Sequence, residues 1–148
     1  MSIFSRHIST SIIIDATPEQ VWQVLTDFAR YPDWNPFVIA IHGSAVLGEK
    51  LTITVKPAGQ KPMNFNPTIL ACKPGSELRW LGQLAIPGLF AGEHIFLIEP
   101  CGVNQVRFTQ AETFRGLLIP FLGSMIRATQ EHFNEVNNAL AQRIVKAN

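Results

Sequence analysis

Hydrophobic and polar residues first alternate along the chain and then recur at helical spacing. Residues 8–14 are rich in Ile and have a period of two, which predicts a first β-strand. Thr17 is a typical helix N-cap, Pro18 suits the first helical position, and Gln20 completes a capping-box spacing, so a short helix should follow. The prolines at positions 32 and 36 forbid a regular helix beyond about Arg30. Residues 31–36 are therefore predicted to form a rigid aromatic loop.

The middle of the chain repeats the pattern of a short strand followed by a turn. Gly, Pro, Asn and Ser cluster between the runs, which is the chemistry of tight turns. Pro67 lies inside one run and predicts a β-bulge there. The pattern indicates an antiparallel meander whose strands cover residues 37–42, 50–56, 63–73, 77–83, 93–99 and 105–114.

The last segment changes its period. Apolar positions are now spaced by three and four residues, which predicts one long amphipathic helix from about Gly116 to residue 147. Its stripe consists of Leu118, Leu122, Met125, Thr129, Phe133, Val136, Leu140 and Ile144.

Together these elements predict an α+β fold in which an antiparallel sheet curls around the last helix. The first strand must then pair with a late one. Because a curved sheet cannot contact the helix everywhere, we expect a ligand cavity between sheet and helix.

Composition sharpens this picture. The chain has 148 residues, the usual size of one domain, and we assign residues 1–148 to a single domain. Apolar residues make up 47% and charged residues only 16%, against a typical charged share of about 25%. This excess indicates a pocket or a homodimer interface. The formal charge of +1 provides no basic stripe for a phosphate backbone, so a nucleic-acid binder is not expected.

Several other classes of protein are not indicated. The apolar stretches near residues 84–91 and 117–122 are broken by Pro or Gly and are far too short to span a membrane. Residues 1–15 lack the apolar region of a signal peptide, so we expect a cytoplasmic protein. Cys72 and Cys101 do not form a disulfide framework or a zinc-ligand spacing. There is no phosphate loop, nucleophile elbow or metal-spaced histidine pair, so no cofactor and no metal are indicated.

Four segments resemble a known family. They are residues 17–22 (TPEQVW), 31–37 (YPDWNPF), 92–96 (GEHIF) and 112–118 (ETFRGLL). With the order of elements, they resemble the START/Bet v 1-like (SRPBCC) superfamily, and within it the polyketide cyclase/dehydrase and lipid-transport-like branch. The resemblance implies a helix-grip fold, with a seven-stranded curved sheet around a long C-terminal helix and two short helices after the first strand. It also implies a pocket for a hydrophobic small molecule, but no single chemistry.

The last two strands carry the candidate catalytic residues. If they form a hairpin with Phe96 opposite Phe108, then His94 faces Gln110 and lies diagonal to Glu112. These polar side chains would point into an apolar cavity, where His94 and Glu112 can form an acid–base pair. The alternative is that the two residues only satisfy each other's hydrogen bonds.

Aromatic residues supply the rest of the predicted cavity. Trp34, Asn35 and Phe37 are expected at its rim, and Trp80 as a wall, although Trp34 would serve equally well as a core residue. The apolar loop at residues 84–92 is expected to be a mobile lid, or instead a dimer or membrane-touching patch. The predicted ligand-binding residues are Trp34, Asn35, Phe37, Trp80, Phe90, His94, Phe96, Phe108, Gln110, Glu112, Leu118, Leu122 and Met125, whereas Phe133, Val136 and Leu140 should fill solid core.

Three functions fit the sequence. The first is the binding of a hydrophobic small molecule, such as a lipid, an isoprenoid or a polyketide-like aromatic, in the internal cavity. The second is a cyclase or dehydratase that uses His94 and Glu112. The third is an oligomerising interaction module, in which the loop at residues 84–92 and the outward side chains of Ile95 and Leu97 form a homodimer contact.

Overall fold

The computed structural model describes residues 2–147. After β1 (Ser5–Ile14) come helix α1 (Pro18–Thr26) and a 3-10 helix (Phe28–Asp33), which match the two short helices implied by the family resemblance. A second 3-10 helix (Ile119–Phe121) precedes the terminal helix α2 (Gly123–Ala147). The remaining strands are β2 (Val38–His42), β3 (Thr52–Val55), β4 (Met63–Phe65), β5 (Thr68–Lys73), β6 (Glu77–Gln83), β7 (Ala91–Gly102) and β8 (Gln105–Arg115).

The strands form two sheets rather than one seven-stranded sheet. The larger sheet has the order β1-β8-β7-β6-β5, and the smaller has the order β2-β3-β4. β1 pairs antiparallel with β8, which confirms that the first strand pairs with a late one. The expected bulge at Pro67 is wrong, because Pro67 separates β4 from β5 and the chain changes sheet there. Proline has no N–H for a strand ladder, and here only its carbonyl is used, accepting from the N–H of Leu51 at 2.8 Å.

The register of the β7–β8 hairpin differs from the predicted one by two residues. His94 lies directly opposite Glu112, and Phe96 lies opposite Gln110. The strands continue further than expected, to a pairing of Gly102 with Gln105, so the turn contains only two residues. Because side chains alternate with a period of two, this even shift leaves the predicted residues on the predicted face.

Helix α2 begins at Gly123 and not near Gly116 as predicted. The N–H of Gly116 donates to the carbonyl of Phe4 at 3.0 Å, and its φ of 139° is outside the range that a helix allows. The N–H groups of Leu117 and Leu118 then donate to Gly88 and to Leu89 in the loop before β7. Residues 116–118 are therefore held by neighbouring loops, and the helix starts about two turns later.

The long helix packs against the curved sheet, which is the predicted α+β helix-grip arrangement. Its stripe residues Phe133, Val136, Leu140 and Ile144 are all buried. The predicted capping box of α1 is present, with the Gln20 N–H donating to Thr17 Oγ1 at 3.2 Å and the Thr17 N–H donating to Gln20 Oε1 at 2.8 Å. None of the helices described is both long enough and apolar enough to cross a membrane.

Candidate functional site: an apolar cavity with a neutral acid

A cavity of about 370 Å³ lies where α2 and the two sheets do not meet. Its walls come from both sheets, the first 3-10 helix and the middle of α2. The aromatic residues lining it are Tyr31, Trp34, Phe37, Phe65, Trp80, Phe90, Phe96, Phe108, Phe114 and Phe133. Within the described residues, the lining contains no Lys, Arg or Asp, and its ionisable side chains besides Tyr31 are His94 and Glu112.

All the predicted ligand-binding residues line this cavity except two. Leu118 and Leu122 precede α2, and Leu122 packs instead against a separate apolar cluster that contains Phe114 and Ile126. Both were assigned to the cavity on the expectation that the helix began near Gly116. Conversely, Phe133, Val136 and Leu140 line the cavity, although the sequence placed them in solid core. The late start of α2 thus moves the cavity wall towards the middle of the helix.

His94 is enclosed by aromatic rings. Its imidazole stacks on Phe96 at a ring distance of 4.2 Å, with Phe133 at 4.6 Å and Trp80 at 5.4 Å. Burial lowers the pKa of His94 to about 3, although a hydrogen bond with Gln110 acts in the opposite direction. The imidazole is therefore neutral at neutral pH.

A chain of buried amides determines which nitrogen of His94 carries the proton. Gln110 Nε2 lies 3.3 Å from the Phe133 carbonyl, which can only accept, so this atom of Gln110 is the donor. It also donates to Asn137 Oδ1 at 2.6 Å, and Asn137 Nδ2 donates to Thr10 Oγ1 at 3.0 Å. Gln110 Oε1 must then accept from His94 Nε2 at 3.1 Å. Neutral His94 consequently has its proton on Nε2 and an acceptor lone pair on Nδ1.

Asn137 and Thr10 were missed by the sequence analysis. Both are buried, and they link Gln110 to α2 and to β1. A signal for Thr10 existed, because it shares the inward parity of Ile8 and Ile14 and is polar there. A signal for Asn137 existed as well, because it lies four residues after Phe133 and three before Leu140 and so falls on the buried face of α2.

Glu112 faces His94 but is poorly bonded. Its Oε1 is 3.5 Å from His94 Nδ1, which is too long for a strong hydrogen bond, and its side chain is only 15% exposed. Burial raises the pKa of Glu112 to about 8, so the carboxyl group is protonated at neutral pH. The pair is therefore a neutral acid beside a neutral base rather than an ion pair.

Gly92 makes room for that carboxyl group. A Cβ atom at Gly92 would overlap Glu112 Oε2, and this is the tightest contact that such a Cβ would make. Gly92 is paired with Phe114 on β8, one step beyond the pairing of Glu93 with Thr113. The glycine thus lets the end of Glu112 lie flat against the neighbouring strand.

The rim contributes two further polar groups. The indole N–H of Trp34 is buried and has no hydrogen-bond partner among the residues described. Asn35 Oδ1 accepts from the backbone N–H groups of Phe37 at 2.9 Å and of Val38 at 2.8 Å. Because that oxygen is occupied, the part of Asn35 left for a ligand is its NH₂ group.

No metal centre accompanies these groups. Over residues 2–147, His, Cys, Asp and Glu side chains nowhere form a group of three or more that could hold a metal ion. The cavity can therefore enclose an apolar molecule, offer it hydrogen-bond donors, and place it against a neutral acid and a neutral base.

Comparisons with known proteins agree with this architecture. The profile of a family described as "Polyketide cyclase / dehydrase and lipid transport" matches residues 5–145. No curated protein sequence matches the chain significantly.

Solved structures share the fold at low sequence identity. The aromatase/cyclase Zhui from a Streptomyces species has a TM-score of 0.79 at 16% identity, covering 96% of this chain and 94% of that chain. A START superfamily protein from Mycobacterium smegmatis has a TM-score of 0.70 at 19% identity, covering 96% and 99%. Norcoclaurine synthase from Thalictrum flavum, a point mutant with a transition-state analogue, has a TM-score of 0.73 at 12% identity, covering 97% and 96%.

Proposed function

The chain belongs to the polyketide cyclase/dehydrase and lipid transport family, and on that premise we propose that it binds a hydrophobic small molecule in the cavity between its sheets and α2. The ligand classes that fit are a lipid, an isoprenoid or a polyketide-like aromatic compound. The observation that supports the proposal is the cavity itself, which has about 370 Å³ of space and a largely aromatic lining. Pockets for small ligands usually have about 300–1,000 Å³ and a few placed polar groups.

The shape of the lining favours a flat ligand. Trp80, Phe96 and Phe108 lie on adjacent strands of the large sheet, and Phe133 faces them from α2. Offset stacking and edge contacts with such rings stabilise a planar apolar molecule beyond the effect of buried area alone.

A dye-binding experiment with matched variants tests the proposal. Val136 is buried in the cavity wall, so Val136→Phe should fill part of the space, whereas Val103→Phe adds the same ring to the exposed β7–β8 turn. We expect an environment-sensitive apolar dye to bind the unmodified chain and the Val103 variant equally, and the Val136 variant at least tenfold more weakly. Equal dye affinity in a well-folded Val136→Phe variant would contradict the proposal.

A second candidate function is acid–base catalysis by His94 and Glu112, because Glu112 keeps an acidic proton at neutral pH and faces a free lone pair on His94 Nδ1. The low pKa of His94, about 3, makes that imidazole a weak base. For dehydration of a bound β-hydroxy ketone, His94 Nδ1 takes a proton from the carbon next to the carbonyl. Glu112 gives its proton to the departing hydroxyl, which leaves as water while the carbon–carbon double bond forms. His94 Nδ1 then loses its proton to solvent and Glu112 takes one up from solvent, which restores both groups.

This step has a direct assay. The probe 4-hydroxy-4-phenylbutan-2-one gives a conjugated enone whose absorbance is easily followed. We expect enone formation with the unmodified chain and its loss in Glu112→Gln, which keeps the shape of the side chain but has no acidic proton. Binding of the probe without enone formation would leave only the carrier function.

The sequence also predicts a cytoplasmic location and allows a homodimer. We keep the location as a prediction, whereas the homodimer has no support from the family or from the structural neighbours. Ile95 and Leu97, which were considered for a dimer contact, are half-buried on the face of β7 opposite Phe96. Light scattering that gives the mass of one chain would remove the oligomerising alternative.

A further inference from the structure

The polar groups around the cavity have one feature in common. Among the described residues the Trp34 indole N–H has no partner, Asn35 has its NH₂ group left, and the Glu112 carboxyl group has only the 3.5 Å approach to His94 Nδ1. In its protonated form Glu112 is also a donor. Apart from the lone pair on His94 Nδ1 and the carbonyl oxygen of Glu112, the unused hydrogen-bonding capacity consists of donors, and it comes from two separate walls of the cavity.

We infer that the ligand is an uncharged apolar molecule with at least one oxygen acceptor, such as a ketone, quinone or ester oxygen, and that Glu112 donates a hydrogen bond to it. This inference rests on the proposed binding function and makes it more specific. It assigns Glu112 as the residue that selects the ligand.

The geometry leaves the Glu112 donor free. Its nearest polar neighbour, His94 Nδ1, lies at 3.5 Å, and the ring of His94 is held by Gln110 and by stacking on Phe96. His94 therefore cannot move closer without losing its bond to Gln110. A ligand oxygen can approach the carboxyl group from the cavity at normal hydrogen-bond distance.

The same lining disfavours anionic ligands. A carboxylate or phosphate buried among aromatic rings needs a cation or several donors, and the described lining supplies no Lys and no Arg. Fatty acids and acyl phosphates are therefore expected to bind worse than neutral molecules of equal size.

The charge state of Glu112 makes the selection dependent on pH. The titratable group that faces it is His94 on β7, while Ile8 of β1 is its partner on the other side. Met125 and Thr129 of α2, which line the same cavity, are not titratable. As the pH rises through about 8, Glu112 loses its proton and can no longer donate. Affinity for an acceptor ligand should fall over that range.

Three probes of similar shape separate these effects. They are 2-acetylnaphthalene with a ketone oxygen, 2-isopropylnaphthalene with no acceptor, and 2-naphthoate with a negative charge at about pH 6.5. We expect the ketone to bind about fivefold more tightly than the hydrocarbon, as one hydrogen bond allows, and at least tenfold more tightly than the carboxylate. Calorimetry or quenching of tryptophan fluorescence measures all three.

Variants identify Glu112 as the origin of the preference. Glu112→Leu should bind ketone and hydrocarbon equally, while Glu99→Leu on the exposed end of β7 should retain the preference. Glu112→Gln retains a donor, so it should keep the ketone preference but lose the fall in affinity between about pH 6.5 and 9. Because Glu112→Gln is nearly isosteric with the native side chain, it tests the role of Glu112 even if Glu112→Leu does not fold.

The outcomes distinguish the inference from the binding proposal on which it rests. If none of the probes binds, both are wrong. If the three probes bind equally, or if the carboxylate binds best, hydrophobic binding stands and the inference is overturned. If the ketone preference persists in Glu112→Leu, another group donates the hydrogen bond to the ligand, and the assignment to Glu112 is overturned.

Discussion

Gln110 and Glu112 are neighbours on the same face of β8, but their surroundings differ. Gln110 is 2% exposed, and its side chain bonds to His94, Asn137 and the Phe133 carbonyl. Glu112 is also largely buried, yet its one polar contact among the described residues is the 3.5 Å approach to His94. The comparison shows that burial alone does not determine whether a polar group is satisfied, because two neighbouring buried side chains on one face differ in their hydrogen bonds.

The difference follows from the path of α2. Gln110 lies beneath the helix where Phe133 and Asn137 meet the sheet. Glu112 is two residues further along β8, about 7 Å away, and among the described residues it makes no hydrogen bond to α2. Both side chains line the cavity, but Gln110 also meets the helix and acquires partners there, whereas Glu112 keeps its capacity for a further hydrogen bond.

The largest expected effect on stability comes from replacing Gln110, the residue of the two whose hydrogen bonds are satisfied. Gln110→Leu leaves Asn137 Oδ1 and the His94 Nε2–H without partners, so the free energy of unfolding should fall by about 3 kcal/mol. Glu112→Leu should retain or increase stability, because it removes a poorly bonded buried acid. Denaturant unfolding measures both, and equal losses in the two variants would contradict the comparison.

The pH dependence of stability gives the next largest effect. The pKa of Glu112 is about 8 in the folded chain against 4.5 for the free side chain, so the folded state binds this proton more tightly. The contribution of Glu112 to stability is therefore full below about pH 4.5 and falls as the pH rises towards 8. The slope is at most about 1.4 kcal/mol per pH unit.

His94 has the opposite effect at lower pH. Its pKa is about 3 in the folded chain against 6.5 for the free side chain, so its contribution to stability rises with pH between these values. Between about pH 4.5 and 6.5 the two residues change stability in opposite directions as the pH rises. Above about pH 6.5, of these two residues, only Glu112 still changes stability with pH. We expect a fall of at most about 2 kcal/mol from pH 6.5 to 8 that is absent in Glu112→Gln, and an identical profile in both proteins would be the contrary result.

The smallest effect on stability is expected at Gly92. In Gly92→Ala the new methyl group meets the end of the Glu112 side chain, which can rotate away. The free energy of unfolding should therefore change by less than about 1 kcal/mol. Ketone binding should nevertheless weaken, because the donor is displaced. Gly82→Ala, whose Cβ would make only ordinary contacts with Phe65 and Pro67, is the control. Loss of stability without loss of ketone affinity would show that Gly92 serves packing alone.

Much of the fold could be predicted because it depends on local patterns. Alternation in residues 8–14, the capping residues Thr17 and Gln20, and the three-four spacing of α2 each report short-range chemistry. These features gave the α+β layout and the pairing of the first strand with a late one, which is β8 in the structure. The assignment of residues 1–148 to one domain stays a prediction.

The errors have a common physical cause. The start of α2 was misplaced because the N–H groups of residues 116–118 bond to Phe4 and to the loop before β7, and no local pattern encodes such partners. The same is true of Pro67, where the chain changes sheet, and of the two-residue shift in the β7–β8 register. In each of these three cases the outcome depends on which backbone group, distant in sequence, forms a hydrogen bond with the segment.

The sequence by itself determined most of the elements and their order, and the face on which His94, Gln110 and Glu112 lie, because side-chain periodicity is a local property. Only the tertiary structure decided that Gln110 would meet Asn137 and Thr10 while Glu112 would not meet any close partner. That distinction arises where a helix from the end of the chain crosses strands from its beginning and middle. Whether a buried polar group finds a hydrogen-bond partner depends on that crossing, and no single segment of the sequence encodes it.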